Sequence, residues 1–121
     1  MTHHDSAHRT PAIYDCIDNC TRCRAICLET INHCLSKGGV HVAPEHIALL
    51  SACADICGTC AATMLRGASV SATVCRACAD VCRACADSCE KIGDDPQMQR
   101  CAEACGRCAE SCAAMAATPG H

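Results

Sequence analysis

The sequence has no tryptophan, no phenylalanine and a single tyrosine, Tyr14, among 121 residues. An interior built round aromatic bulk is thereby excluded. The same shortage removes any platform on which bases could stack. The net charge of -3, with both signs interspersed, offers no basic patch for a phosphate backbone. No nucleic-acid partner is expected. Nor does the opening Met-Thr-His-His-Asp-Ser-Ala-His-Arg-Thr-Pro hold an apolar run of signal-peptide length or a twin-arginine pair, and no later segment reads as apolar for long enough to span a bilayer. The expectation is a cytoplasmic protein with no membrane partner. Alternating strand patterns are missing as well.

What the chain has instead is 17 cysteines. In a reducing cytoplasm thiols stay free, and an odd count argues further against a full disulfide framework. Cysteines three or four apart on one helix also stand side by side, a poor geometry for the roughly 90° torsion of a disulfide. The sulfurs are expected to be free or bound to metal.

Their spacing fixes the secondary structure. From Cys75 the chain reads Cys-Arg-Ala-Cys-Ala-Asp-Val-Cys-Arg-Ala-Cys-Ala-Asp-Ser-Cys, so Cys75, Cys78, Cys82, Cys85 and Cys89 recur at alternating steps of three and four. That is the inner seam of a bundled helix, with thiols where leucine would stand. The residues between are good helix formers, and Arg76 with Asp80, Arg83 with Asp87 and Asp87 with Lys91 fall at i, i+4 as outer-face pairs. The ladder is repeated three times. A first helix opens on Thr10 and Pro11 and carries Cys16, Cys20, Cys23, Cys27 and Cys34, with Thr30 in the skipped position and Ile17, Leu28, Ile31 and Leu35 flanking the seam; it stops at Lys37, Gly38 and Gly39. A second opens at Ala43, Pro44 and Glu45, runs through His46, Leu50, Cys53, Cys57, Cys60 and Met64, and closes at Gly67. Ser69 or Ser71 is the expected cap of the third, which ends at Gly93. Asp94, Asp95 and Pro96 open a fourth, with Met98, Cys101, Cys105, Cys108, Cys112 and Met115 on its seam before Pro119 and Gly120.

Four helices of about 22 to 27 residues joined by short turns predict an all-α, antiparallel up-down-up-down four-helix bundle with a cysteine-lined core. The expected organisation is a flexible His-containing tail over 1–9, with His3, His4 and His8, a single bundle over 10–118, and a short tail over 119–121. Small-residue stripes such as Ala102, Gly106, Ala109, Ala113 and Ala116, or Val74, Ala77, Val81 and Ala84, would let whole bundles pack as a homo-oligomer.

A core that uses cysteine at nearly every seam position is not explained by packing alone. Zinc gathers thiolates in fours and would leave two uncompensated charges at each site inside a narrow bundle. Cu(I) is monovalent, soft and content with two or three sulfurs, each of which can bridge, so one copper for one thiol proton leaves the interior charge unchanged. Capacity should approach one copper per cysteine. Neighbouring thiols at i, i+3 and i, i+4, and thiols facing across the axis, would supply the sites. Five Cys-x-x-Cys pairs (Cys20 with Cys23, Cys57 with Cys60, Cys75 with Cys78, Cys82 with Cys85, Cys105 with Cys108) are weak signals singly, because zinc ribbons and ferredoxins place such pairs on loops and thioredoxin-like enzymes use one. On four helices together they are specific.

The four ladders resemble those of the copper storage proteins, in particular the branch without an export signal, over nearly the whole chain from Thr10 to about Thr118. The resemblance implies a four-helix bundle, commonly tetrameric, that stores many Cu(I) ions on core thiolates, limits copper toxicity and admits metal at one mouth with the help of His or Met. One bundle end gathers His33, Cys34, His41, His46, Cys89 and Met98, and the other Tyr14, Cys16, Met64, Cys75, Cys112 and Met115. The histidine-bearing end is the expected mouth, since imidazole and thioether are exchangeable ligands. His46, on the seam, is the first candidate ligand there. His41 and Met98 are further candidates, although His33 and His41 read first as solvated surface residues. Met64 and Met115 are either ligands or flexible plugs.

The function expected is therefore Cu(I) storage without catalysis. The alternatives are a thiol redox protein, which needs one perturbed cysteine where no His or acid is distinctly paired with any, a zinc or iron-sulfur protein, and a copper-sensing regulator, which needs a basic helix facing DNA.

Overall fold

Two adjacent residues start the first helix. Thr10 is extended and its Oγ1 accepts the Ile13 N–H at 3.3 Å, while Pro11 fills a position whose N–H would have no partner. In the computed structural model, which describes residues 10–117, helix α1 spans Pro11–Lys37, a 3-10 turn spans Gly39–Val42, and α2, α3 and α4 span Pro44–Leu65, Ser71–Ile92 and Pro96–Ala117. The expected tails, with His3, His4, His8 and Pro119, lie outside the described residues. Gly38 and Gly93 close α1 and α3 at φ of 72° and 79°, backbone that other residues rarely adopt, and return their N–H groups to the carbonyls of Cys34 and Glu90.

Asp95 caps α4 as expected, its Oδ1 accepting the N–H groups of Gln97 at 2.9 Å and Met98 at 3.3 Å. The serine cap expected on α3 does not form. Val70 stands at that position without a side-chain bond, and Ser71 is buried in the first turn, because the chain reverses so tightly after Gly67 that backbone carbonyls (Thr63 to the Ala68 N–H, Ala68 to the Ser71 N–H) satisfy the turn.

Each helix packs on its sequence neighbours, and α4 returns against α1. The result is the antiparallel up-down-up-down four-helix bundle, with no strand among the described residues. Every cysteine lies on the inner face, 0–1% exposed. α3 and α4 pack most extensively, and the buried residues beside their thiols are alanines: Ala79 and Ala86 on α3, Ala102, Ala104 and Ala109 on α4. The stripes expected to serve association thus divide. Ala102 and Ala109 belong to the interior, while Ala77, Ala84 and Ala113 stay exposed.

Three other expectations change. Ile17 is buried and Ile31 packs on the core, but Leu28 and Leu35 are 46% and 62% exposed, since each lies about 100° round the helix from the thiol it follows. Ile26, on the opposite shoulder of the seam, is the buried aliphatic residue that takes their place. The i, i+4 pairs on α3 do not close as ion pairs; the Arg–carboxylate bridge among the described residues joins α4 to α1, Arg100 Nη1 to Glu29 Oε1 at 2.8 Å. Exposed pairs gain little from one fixed geometry, so the side chains stay hydrated. Finally, α2 is long and apolar enough to cross a bilayer by length and composition, contrary to the sequence reading. Its apolarity is that of a core element. His46, Leu50, Cys53, Ala54, Cys57, Cys60, Ala61 and Met64 all face the bundle interior.

Candidate metal centre

The thiol seams of all four helices meet on the axis, and their sulfurs form one connected run. At the Tyr14 end, Cys16 and Cys20 lie 3.7 and 3.6 Å from Cys112, and Cys60 lies 3.4 Å from Cys75 and 3.9 Å from Cys112. Cys108 joins Cys20 at 3.6 Å and Cys57 at 3.7 Å; Cys57 reaches Cys78 at 3.8 Å and Cys82 at 3.6 Å. Cys82 leads to Cys53 at 3.6 Å, Cys53 to Cys23 at 3.7 Å and Cys105 at 3.8 Å, and Cys27 ends this stretch 3.8 Å from Cys105 and 3.9 Å from Cys101. A disulfide is about 2.05 Å long, and every cysteine is free. Two thiolates sharing one first-row metal at about 2.3 Å stand roughly 3.8 Å apart at a tetrahedral angle and farther at a wider one, so the run is already spaced for metal.

Within single helices the short contacts are i, i+4: Cys23 to Cys27 and Cys101 to Cys105 at 4.0 Å, Cys78 to Cys82 at 3.8 Å, Cys108 to Cys112 at 3.9 Å. None of the Cys-x-x-Cys pairs makes such a contact. Side chains four apart differ by about 40° round the axis, against about 60° for those three apart, so the former converge on the inter-helix space.

Sets of four sulfurs lie within 4.8 Å of one another, and the sets overlap. Cys23, Cys27, Cys53 and Cys105 form one; Cys23, Cys53, Cys57 and Cys82 another; Cys57, Cys78, Cys82 and Cys108 a third; Cys27, Cys85, Cys101 and Cys105 a fourth. Isolated tetrathiolate sites would partition the sulfurs. Here each central sulfur belongs to several sets, the arrangement that bridging thiolates require. Protons are shared along the same contacts: the bond to Cys108 and burial push the Cys57 thiol up, and the bond to Cys101 and burial do the same at Cys105. The partners Cys108 and Cys101 are held down by the same network of thiol contacts, so these thiols titrate together.

The histidine-bearing end is built differently. His46 is buried, with Nε2 3.5 Å from the Cys34 sulfur and Nδ1 2.7 Å from the Ser88 hydroxyl. A distinct Cys–His pair therefore exists, against the sequence reading. It is not an activated nucleophile: burial, with the nearby Asp95 carboxylate, pushes the Cys34 thiol up to about 11, and burial holds the His46 imidazole below its ordinary value. Thr30, Leu50 and Met98, all fully buried, occupy seam positions between this pair and the thiol run. His33 and His41, expected at the surface, are half-buried and both bond Asp95 Oδ2, at 2.9 and 2.8 Å. Sequence spacing could not show this, because the three residues come from three elements. At the far end Met64 and Met115 are buried beyond Cys60 and Cys112.

Fold and site together define a helical bundle whose interior is a soft-metal thiolate store. The chain belongs to the copper storage protein family, whose model matches residues 9–117. A protein of Nitrosospira multiformis shares 45% identity over 88% of this chain and 95% of its own, with a TM-score of 0.82. The Cu(I)-bound copper storage protein 3 of Bacillus subtilis shares 36% over 88% and 99%, with a TM-score of 0.82. The cytosolic copper storage protein of Streptomyces lividans, loaded with five coppers, shares 35% over 90% and 95%, with a TM-score of 0.83. No curated protein matches the chain.

Proposed function

We propose that this protein, like the Streptomyces lividans relative named a cytosolic copper storage protein, stores copper in the cytosol, holding many Cu(I) ions on the thiolates of its core so as to limit free copper and keep a releasable pool. The single observation that carries the reading is the overlap of the cysteine sets, which makes each central sulfur available to more than one ion. Cu(I) for a thiol proton keeps the dry interior neutral; a zinc ion on four thiolates would not. All 17 cysteines are the ligands, with His46 an auxiliary ligand beside Cys34 at the entry and Met98 behind it. Met64 and Met115 close the opposite end. Catalysis has no place in this reading, since the one Cys–His pair among the described residues holds a thiol whose pKa is raised. Leu28, Leu35 and Val40, exposed on and just after α1, are the surface on which copies would associate into a homo-oligomer.

Anaerobic titration of the reduced protein with Cu(I) against a chromophoric competitor tests the proposal. Uptake on the order of one copper per cysteine before the competitor responds is expected. Saturation at one to four ions, or preference for zinc, would overturn it.

A further inference from the structure

Three side chains at the histidine-bearing end take no part in the thiol run and converge on one atom. His33 comes from the last turns of α1, His41 from the 3-10 turn and Asp95 from the cap of α4. Both Nε2 atoms approach the same oxygen, Asp95 Oδ2, with the rings edge to face at 73° and their centroids 5.8 Å apart. Oδ1 is committed to the backbone of α4, which leaves Oδ2 wholly to the histidines. The side chains are partly withdrawn from water, at 10% exposure for Asp95, 26% for His33 and 16% for His41.

We propose that His33, His41 and Asp95 form a binding site for a divalent borderline cation of the Zn2+ class, separate from the thiolate core. Two imidazole nitrogens and a carboxylate oxygen are a donor set for such ions, whereas Cu(I) is drawn to sulfur. Bonds of about 2.0–2.1 Å set tetrahedral ligands roughly 3.3 Å apart, so the present contacts of 2.8 and 2.9 Å need open by only about half an ångström. Each ring moves its proton from Nε2 to Nδ1, which bonds no other described residue, and the ion takes the place of the two N–H···O contacts. Three protein ligands leave a fourth position for water. The bound ion ties α1, the 3-10 turn and α4 together at the end that holds Cys34 and His46.

Co2+ serves as the spectroscopic probe, added anaerobically to the reduced protein both metal-free and after Cu(I) loading. One equivalent is expected to bind with ligand-field bands of a nitrogen and oxygen site and no sulfur-to-metal charge transfer. The His33→Gln, His41→Gln double variant should weaken that binding about 100-fold with Cu(I) capacity unchanged, and Asp95→Asn, which keeps a helix-capping oxygen, about tenfold. Circular dichroism checks the fold, and Asp95→Asn carries the test should the double variant unfold. A charge-transfer band that survives these substitutions places the ion among the cysteines and overturns the proposal. So does the absence of nitrogen and oxygen bands at about 1 mM Co2+. The metal-free arm reads the site even where copper loading fails, so this result and that for copper storage stand apart.

Discussion

The two stretches of the bundle axis differ in chemistry though they share one spacing. From Cys16 to Cys101 every seam position is a thiol, and sulfur meets sulfur at 3.4 to 4.0 Å. Towards the histidine-bearing end the same three-four step is filled by Thr30, Leu50 and Met98, the largest side chains with no exposure at all, and only then by Cys34 and His46. The Thr30 hydroxyl is turned away from the metal path, donating to the Ile26 carbonyl at 2.7 Å and accepting from Gln97 Nε2 at 2.9 Å. α3 has no such interruption and runs on through Cys85 and Cys89, while α1 resumes with Cys34 beyond the layer. Spacing builds the tube, and residue identity divides it into a store and an entry.

The sharpest way to break that division is to remove the layer between them. Leu50→Ala should cost about 2–5 kcal/mol in urea unfolding of the metal-free reduced protein, because the fully buried site cannot collapse around the loss. Arg22→Ala, at an exposed position of α1, should stay within about 0.5 kcal/mol. Equal costs would mean that the layer does not hold the end shut. Next in size is capacity. Cys105 touches Cys23, Cys27, Cys53 and Cys101, so Cys105→Ser should remove more than one copper in a competitor titration, while Cys34→Ser, outside the run, should remove at most one. The same loss from both would make the axis uniform.

How much of this was legible beforehand follows from the same contrast. The ladders of Cys16 to Cys34, Cys53 to Cys60, Cys75 to Cys89 and Cys101 to Cys112 report helices, an inner face and a shared axis, because one periodic property decides all three. Thr10, Gly38, Gly93 and Asp95 mark ends for equally local reasons. What the periodicity could not carry was partnership across elements. Asp95 read as a cap, and the two histidines on its second oxygen arrive from residues 62 and 54 positions away. The i, i+3 pairs looked like units in the sequence, whereas the sulfurs that meet are four apart or on different helices. Leu28 and Leu35 read as core because they are leucines near a seam, and the breadth of the buried face depends on how closely neighbouring helices approach.

A smaller effect sharpens the entry itself. His46→Ala should slow Cu(I) uptake about tenfold in stopped-flow mixing while leaving final capacity within one ion, since the imbalance falls on passage past Cys34 and not on the store. Ser88→Ala, which frees Nδ1 and lets the ring turn, should slow uptake less than His46→Ala does. An unchanged rate for His46→Ala would move the entry to the Met64 and Met115 end.

The least conspicuous difference is in pH dependence, and it separates the ends without copper. Burial lowers the His46 pKa below its ordinary 6.5, so the unfolded chain takes up this proton before the folded one does. The stabilisation is whole above about pH 6.5 and declines as pH falls below that value, flattening once the folded form also binds the proton. Asp95 acts lower on the scale. The His33 bond, joined by those from His41, Met98 and Gln97, holds its carboxyl well below the usual carboxylate range, so its contribution is present above about pH 4 and is lost as pH falls further. Urea unfolding of the reduced, metal-free protein across this range should show two descending limbs. His46→Gln should erase the upper one and Asp95→Asn the lower, whereas Met64→Leu at the far end should leave both in place. A single limb removed by neither change would show that the histidine-bearing end carries no more titration energy than the thiol run.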